Sequence, residues 1–201
     1  MLDRFALRLL APVLTPVARQ LVRRGITADQ ITLAGFAIGL LAAALIAQRA
    51  YLAGLALLLL SRLCDGLDGA AARQTRCTDR GGFLDITLDF IFYAAIVLAF
   101  AVAEPSANAL PAAVLLAGFM GTGSSFLAFA VIATKRGMAS TVYPDKSFYF
   151  LGGLTEGTET LIFLVSMCLW PAQFALLAWI FAGLCALTTA MRLWWAWKSF
   201  A

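Results

Sequence analysis

Four aspartates flank a short basic loop at regular spacing, Asp65 and Asp68 before it, Asp85 and Asp89 after it. On a helix, residues three or four apart share a face, so each pair presents its carboxylates in one direction. If the two segments are antiparallel neighbours, all four carboxylates converge. Such a cluster cannot stay ionised in a low-dielectric site without compensation, and carboxylates at membrane depth usually mark function. A hard divalent cation with oxygen ligands supplies the missing charge. The competing reading is that the aspartates pair with Arg62, Arg73, Arg76 and Arg80, which does not require the regular spacing. Gly66, Gly69, Gly81 and Gly82 lie among the aspartates and let backbones and a ligand approach closely.

The elements that must carry these residues are apolar. The chain is 62% hydrophobic, well above a soluble domain of this length. Ile31 to Gln48 is uncharged for 18 residues, Pro105 to Thr134 for 30 and Thr160 to Met191 for 32, the last broken at Trp170-Pro171. A helix crosses a bilayer with about 20 apolar residues. The expected fold is all-α: a polytopic membrane protein of six transmembrane helices, near 31–48, 51–74, 81–103, 109–134, 147–169 and 172–195. Ahead of them, Leu2, Phe5, Leu9, Leu10, Val13, Leu14, Val17 and Leu21 recur at helical spacing among arginines. This predicts an amphipathic helix over 1–24, bent near Pro12 and Pro16, lying on an anionic membrane face. One domain over 1–201 accommodates everything, and no cleavable signal peptide is visible.

An even span count puts both termini on one side. Arg19, Arg23, Arg24, Arg73, Arg76, Arg80, Lys135, Arg136, Lys146 and Lys198 fall on that side, and Arg49 on the other. The basic side is therefore expected to be cytoplasmic. The uncharged parts of the second and third spans are too short unless the aspartates lie inside the boundary. Counting turns puts both pairs on the order of 10 Å deep.

Several chemistries are excluded. The chain has no histidine, so a His-based triad or His/Cys metal site is ruled out. Cys64, Cys77, Cys168 and Cys185 show no CxxC spacing and read as packing residues. There is no phosphate-binding GK[ST] loop and no internal repeat. The net charge of +4 follows membrane topology, and no nucleic-acid surface is expected.

Asp65, Asp68, Gly69, Ala72, Arg73, Gly81, Asp85 and Asp89 fit the pattern D-x2-D-G-x2-A-R-x7-G-x3-D-x3-D. This resembles the signature of the CDP-alcohol phosphotransferase family, in a branch of the bacterial inner membrane. "GITADQITLAGFAIG" (25–39) also resembles the family's entry to the first span, with Ala28-Asp29 where Pro-Asn is common. The resemblance implies transfer of a phosphatidyl group from CDP-diacylglycerol to a small alcohol with release of CMP, in phospholipid biosynthesis. It implies that Asp65, Asp68, Asp85 and Asp89 hold one or two Mg2+ or Mn2+ ions, with Asp89 also the general base. Gly69, Arg73, Asp68 and Thr32 would contact the CDP moiety. A homodimer in contact with membrane lipid is expected.

The acceptor is less defined. Lys135, Arg136 and Lys146 would hold an acceptor phosphate, or serve as positive-inside anchors. Glu156 and Glu159, read inside the fifth span, would bind hydroxyls or an amine, or lock onto Arg62. Arg192 reads as snorkelling to the interface. "GTGSS" (121–125) reads as close helix packing or a subunit contact. Two other functions compete: transfer from a CDP-amino-alcohol to diacylglycerol, and an ion or proton transporter using the carboxylates as a relay.

Overall fold

The computed structural model describes residues 2–137 and 154–200, and every regular element among them is helical. They are α1 (Leu2–Arg23), α2 (Ala28–Ala47), α3 (Tyr51–Gln74), α4 (Asp79–Ala103), α5 (Pro105–Lys135), α6 (Gly157–Leu169) and α7 (Phe174–Phe200), with one 3-10 turn at Pro171–Gln173. Lys146, and the start of the span expected at 147, lie outside the described residues.

Caps set where the helices begin. The Thr27 hydroxyl accepts from Gln30 N at 3.3 Å and the Gln30 side chain accepts from Thr27 N at 2.9 Å. This capping box starts α2 at Ala28, three residues before the uncharged run begins. Thr78 caps α4 by accepting from Gly81 N at 3.0 Å. Pro105 opens α5, where its missing N–H costs nothing. Gly137, with φ 65°, follows its end.

Among the described residues, four stretches are long and apolar enough to cross a membrane: α2, α4, α5 and Pro171–Phe200. The chain is therefore an integral membrane protein. α3 interrupts its apolar run with Arg62, Asp65, Asp68 and Arg73, and α6 has 13 described residues. Among the described residues, length and composition alone thus identify four of the six expected spans. Large apolar side chains such as Leu98, Val102, Met120, Val131 and Leu176 face outward, as lipid contact requires.

Close approach lets α2 pack on both α3 and α4. A Cβ on Gly35 would stand 2.7 Å from Cys64 Cβ, and one on Gly39 2.5 Å from Phe92 Cδ2. The absent side chains allow Thr32, on the same helix, to reach the aspartates. Behind this, Leu58, Phe92, Ile96, Phe100, Leu115 and Phe181 form the main core. Phe100 stacks on Phe174 at 4.7 Å between centroids, joining α4 to the start of α7.

α5 and α7 pack in parallel. A Cβ on Gly118 would meet Cys185, and one on Gly121 would meet Thr189. The hydroxyls of Ser124 and Ser125 turn back to the carbonyls of Gly121 and Thr122. "GTGSS" is helix packing within the chain. All four cysteines are free.

α1 runs through Pro12 and Pro16 without a break. Leu14 and Ala18 are buried against Ile31, Ala70 and Ala71, while Leu9, Leu10, Val13 and Val17 are exposed. A Cβ on Gly66 would sit 2.9 Å from Leu14 Cδ1, so Gly66 seats α1 rather than admitting a ligand.

Two sequence expectations change here. Glu156 does not lie inside a helix: it is the N-cap of α6, and Glu159, in the first turn of that helix, accepts through Oε2 from Glu156 N at 3.2 Å. Nor do they lock onto Arg62, whose guanidinium is taken by aspartates.

Candidate active site

Three carboxylate oxygens, one each from Asp65, Asp68 and Asp85, lie within 4.8 Å of one another. The antiparallel α3 and α4 bring them together, as the spacing requires. Ligand oxygens around a divalent cation at 2.0–2.6 Å stand up to roughly 4–5 Å apart, so this all-oxygen set suits Mg2+ or Mn2+. The Thr32 hydroxyl donates to Asp68, at 2.5 Å from Oδ2, and lies 3.0 Å from Ala28 O. Its role in the structure is to orient a carboxylate of the group.

Asp89 stands outside that trio. Arg62 Nη1 donates to Asp89 Oδ1 at 2.6 Å and lies 3.5 Å from Asp65 Oδ1. The guanidinium carbon sits 4.0 Å over the Phe92 ring. Ion pairing of the aspartates is therefore realised in part, by Arg62. Arg80 pairs with Asp29 instead, tying the start of α4 to the start of α2.

Gly69 and Arg73 lie one turn apart near the C-terminal end of α3. A Cβ on Gly69 would stand 3.3 Å from Arg73 Nη1, so a side chain there would crowd the exposed guanidinium.

A cavity of about 230 Å3 adjoins the cluster and shares Asp85 and Asp89 with it. Its wall includes Tyr93, Phe119, Thr122, Glu156 and Arg192. Glu156 is buried, and it interacts electrostatically with Arg192. Arg192 corrects a sequence expectation: it is buried and donates from Nη1 to Thr122 O at 2.8 Å, so it does not snorkel. α7 continues to Phe200, which leaves Arg192 about two turns inside the helix.

The remaining acceptor candidates separate. Arg136 donates to Phe200 O at 2.8 Å and Ser199 O at 3.4 Å, capping the end of α7. Lys135 is exposed at the last residue of α5. Lys146 lies outside the described residues. Sequence reasoning missed Arg192 and Tyr93 as cavity residues. The signal available was a charge in the last helix after a long uncharged run.

The model of the CDP-alcohol phosphatidyltransferase family matches residues 25–197. The chain is 54% identical over 194 residues to inner membrane protein YnjF of Escherichia coli K12, covering 96% of this chain and 94% of that protein. It is 40% identical over 104 residues to phosphatidylinositol phosphate synthase of Streptomyces avermitilis, spanning 50% of this chain and 42% of that one. The fold resembles a crystal structure of phosphatidylinositol phosphate synthase from Mycobacterium tuberculosis with CDP-DAG bound. The TM-score is 0.73 at 23% identity, over 90% of this chain and 92% of that one.

Proposed function

We propose that this chain, which belongs to the CDP-alcohol phosphatidyltransferase family and is an enzyme of it, transfers a phosphatidyl group from CDP-diacylglycerol to a small alcohol and releases CMP. The observation that carries this reading is the junction of the three-carboxylate group with the cavity through Asp85, with Asp89 beside it in the cavity wall. The donor named in the mycobacterial structure, CDP-DAG, supports the choice of donor. A structure of the same mycobacterial enzyme with manganese and citrate supports a divalent ion.

In this reading Asp65, Asp68 and Asp85 hold the divalent ion, and Thr32 fixes the orientation of Asp68. When bound, the ion neutralises pyrophosphate charge that would otherwise repel an attacking oxygen. Gly69 and Arg73 receive the CDP moiety, with Arg73 available to its phosphates. The acceptor occupies the cavity, where its hydroxyl faces Asp89. The hydroxyl oxygen bonds to the phosphatidyl phosphorus and the bond to the CMP oxygen breaks. Asp89 accepts the hydroxyl proton as this occurs.

The membrane placement follows the same reading. α3 and α6 cross together with the four apolar stretches, giving six spans in one domain of the bacterial inner membrane. Both termini and the aspartates face the cytoplasm, and α1 lies on that face with its arginines toward anionic lipid. The chain works as a homodimer.

Purified protein should release CMP from CDP-diacylglycerol when presented with the right member of a panel of inositol phosphate, glycerol phosphate, serine and free polyols. EDTA should abolish release, and Mg2+ or Mn2+ should restore it. Full turnover in excess chelator would overturn the metal assignment. CMP release from CDP-choline or CDP-ethanolamine with diacylglycerol alone would overturn the choice of donor.

A further inference from the structure

The cavity beside the aspartates, about 230 Å3, is smaller than the roughly 300–1,000 Å3 of pockets that take drug-sized ligands, and so suits a small acceptor. Among the described residues, Asp85, Asp89, Glu156 and Arg192 are the charged ones in its wall. Arg192 is the one cation of that set, and it is engaged. Its Nη1 donates to Thr122 O at 2.8 Å. The fold also brings Glu156 to it. Thr155, the neighbour of Glu156 in sequence, meets the Thr188 hydroxyl through its own at 3.0 Å, and Thr188 lies one turn before Arg192 on α7. Glu156 and Arg192 are both buried, and they interact electrostatically. Each offsets the charge of the other, as burial requires.

The described cations that the sequence offered for an acceptor phosphate lie elsewhere. Arg136 holds carbonyls at the end of α7, and Lys135 is exposed at the end of α5; neither lines the cavity. A phosphate placed in the cavity would face the Asp89 and Glu156 carboxylates. To gain a cation it would have to draw Arg192 from Glu156, leaving a buried carboxylate without its counter-charge. An uncharged polyol meets no such penalty. Its hydroxyls can donate to Glu156 and accept from Arg192 while the pair stays together. Its C–H faces can pack on Tyr93 and Phe119 in the same wall.

We propose that the acceptor is an uncharged polyol, and that Glu156, by engaging Arg192, is the specificity residue that excludes phosphorylated acceptors. This rests on the reading that the chain transfers a phosphatidyl group to a small alcohol.

The test is CMP release by the full chain in detergent with CDP-diacylglycerol and Mn2+. Glycerol, sorbitol and myo-inositol are each set against the corresponding monophosphate, with serine alongside. A free polyol should support release with kcat/KM about tenfold or more above that of its phosphate. Glu156→Gln keeps the size of the side chain and removes its charge. It should lower the KM of the phosphorylated acceptor by about tenfold or more, the worth of one contact to a charged group. A phosphorylated acceptor or serine as the preferred substrate of wild type would overturn the proposal, whether or not the variant folds. So would a folded Glu156→Gln whose preference is unchanged. These results would leave the transferase reading standing. Absence of CMP release with every acceptor would instead remove that reading and this proposal together.

Discussion

Two arginine–carboxylate pairs hold α4, one at its C-terminal end and one near its middle, and their surroundings differ. At one end Arg49 Nη2 meets Glu104 Oε2 at 2.9 Å, and Arg49 Nε donates to Ala103 O. These side chains are 61% and 45% exposed, so water and salt screen the pair. Near the middle of the helix Arg62 meets Asp89 at 2.6 Å with exposures of 12% and 30%. The first pair clips a turn whose backbone is left-handed at Arg49, with φ 64°. The second lies among three further carboxylates and two aromatic rings. Similar distances thus serve different ends. A screened pair can only fasten a loop, whereas a partly desolvated one can fix where a reacting group points.

Asp89→Asn should break this contrast most severely. It keeps the size of the side chain and removes its basicity, and turnover should fall by roughly 10²–10⁴ while donor KM holds. A parallel loss of donor binding would show that Asp89 belongs to the donor site instead. A smaller effect is expected at Thr32, which holds Asp68 and is not among the residues that line the cavity. Thr32→Val should weaken Mn2+ binding by about 10–100-fold, the usual cost of removing a supporting hydrogen bond from a metal ligand. Unchanged Mn2+ affinity would show that the contact does not support the site. The smallest effect belongs to the exposed end. Glu104→Gln should lower stability by about 0.2–1 kcal/mol in thermal unfolding and leave CMP release as it was. A large loss of activity there would mean that the end of α4 is coupled to the site near its middle.

The aspartates could be read from sequence because charge in an apolar run is conspicuous and the helical period fixes its direction. Arg62 was visible as a possible partner, but its choice of Asp89 and Asp65 depends on how α4 lies against α3. Arg192 was misread for a physical reason. A charge after 32 uncharged residues looks like the end of a span, and only the continuation of α7 to Phe200 puts it inside. Glu156 was misread in the opposite sense. The uncharged run after Glu159 hides the cap that starts α6 at Gly157. The caps at Thr27 and Thr78 moved two other boundaries by a few residues, because side-chain hydrogen bonds extend a helix past its apolar stretch. α3 does not stand out as a span by length and composition because it gives up apolarity to carry the site.

α5 has 31 residues and is therefore about 46 Å long, against a hydrocarbon layer of about 30 Å. Such hydrophobic mismatch is relieved by tilting, by local thickening of the bilayer or by standing proud of it. α7 shares the excess, since Arg136 fastens the end of α5 to the end of α7 at Phe200. Thr122 and Arg192 mark the level of the cavity, and Lys135 lies 13 residues beyond Thr122, about 20 Å further along the axis. The paired helices form a buttress on one side of the cavity, taller than the hydrocarbon layer that surrounds it.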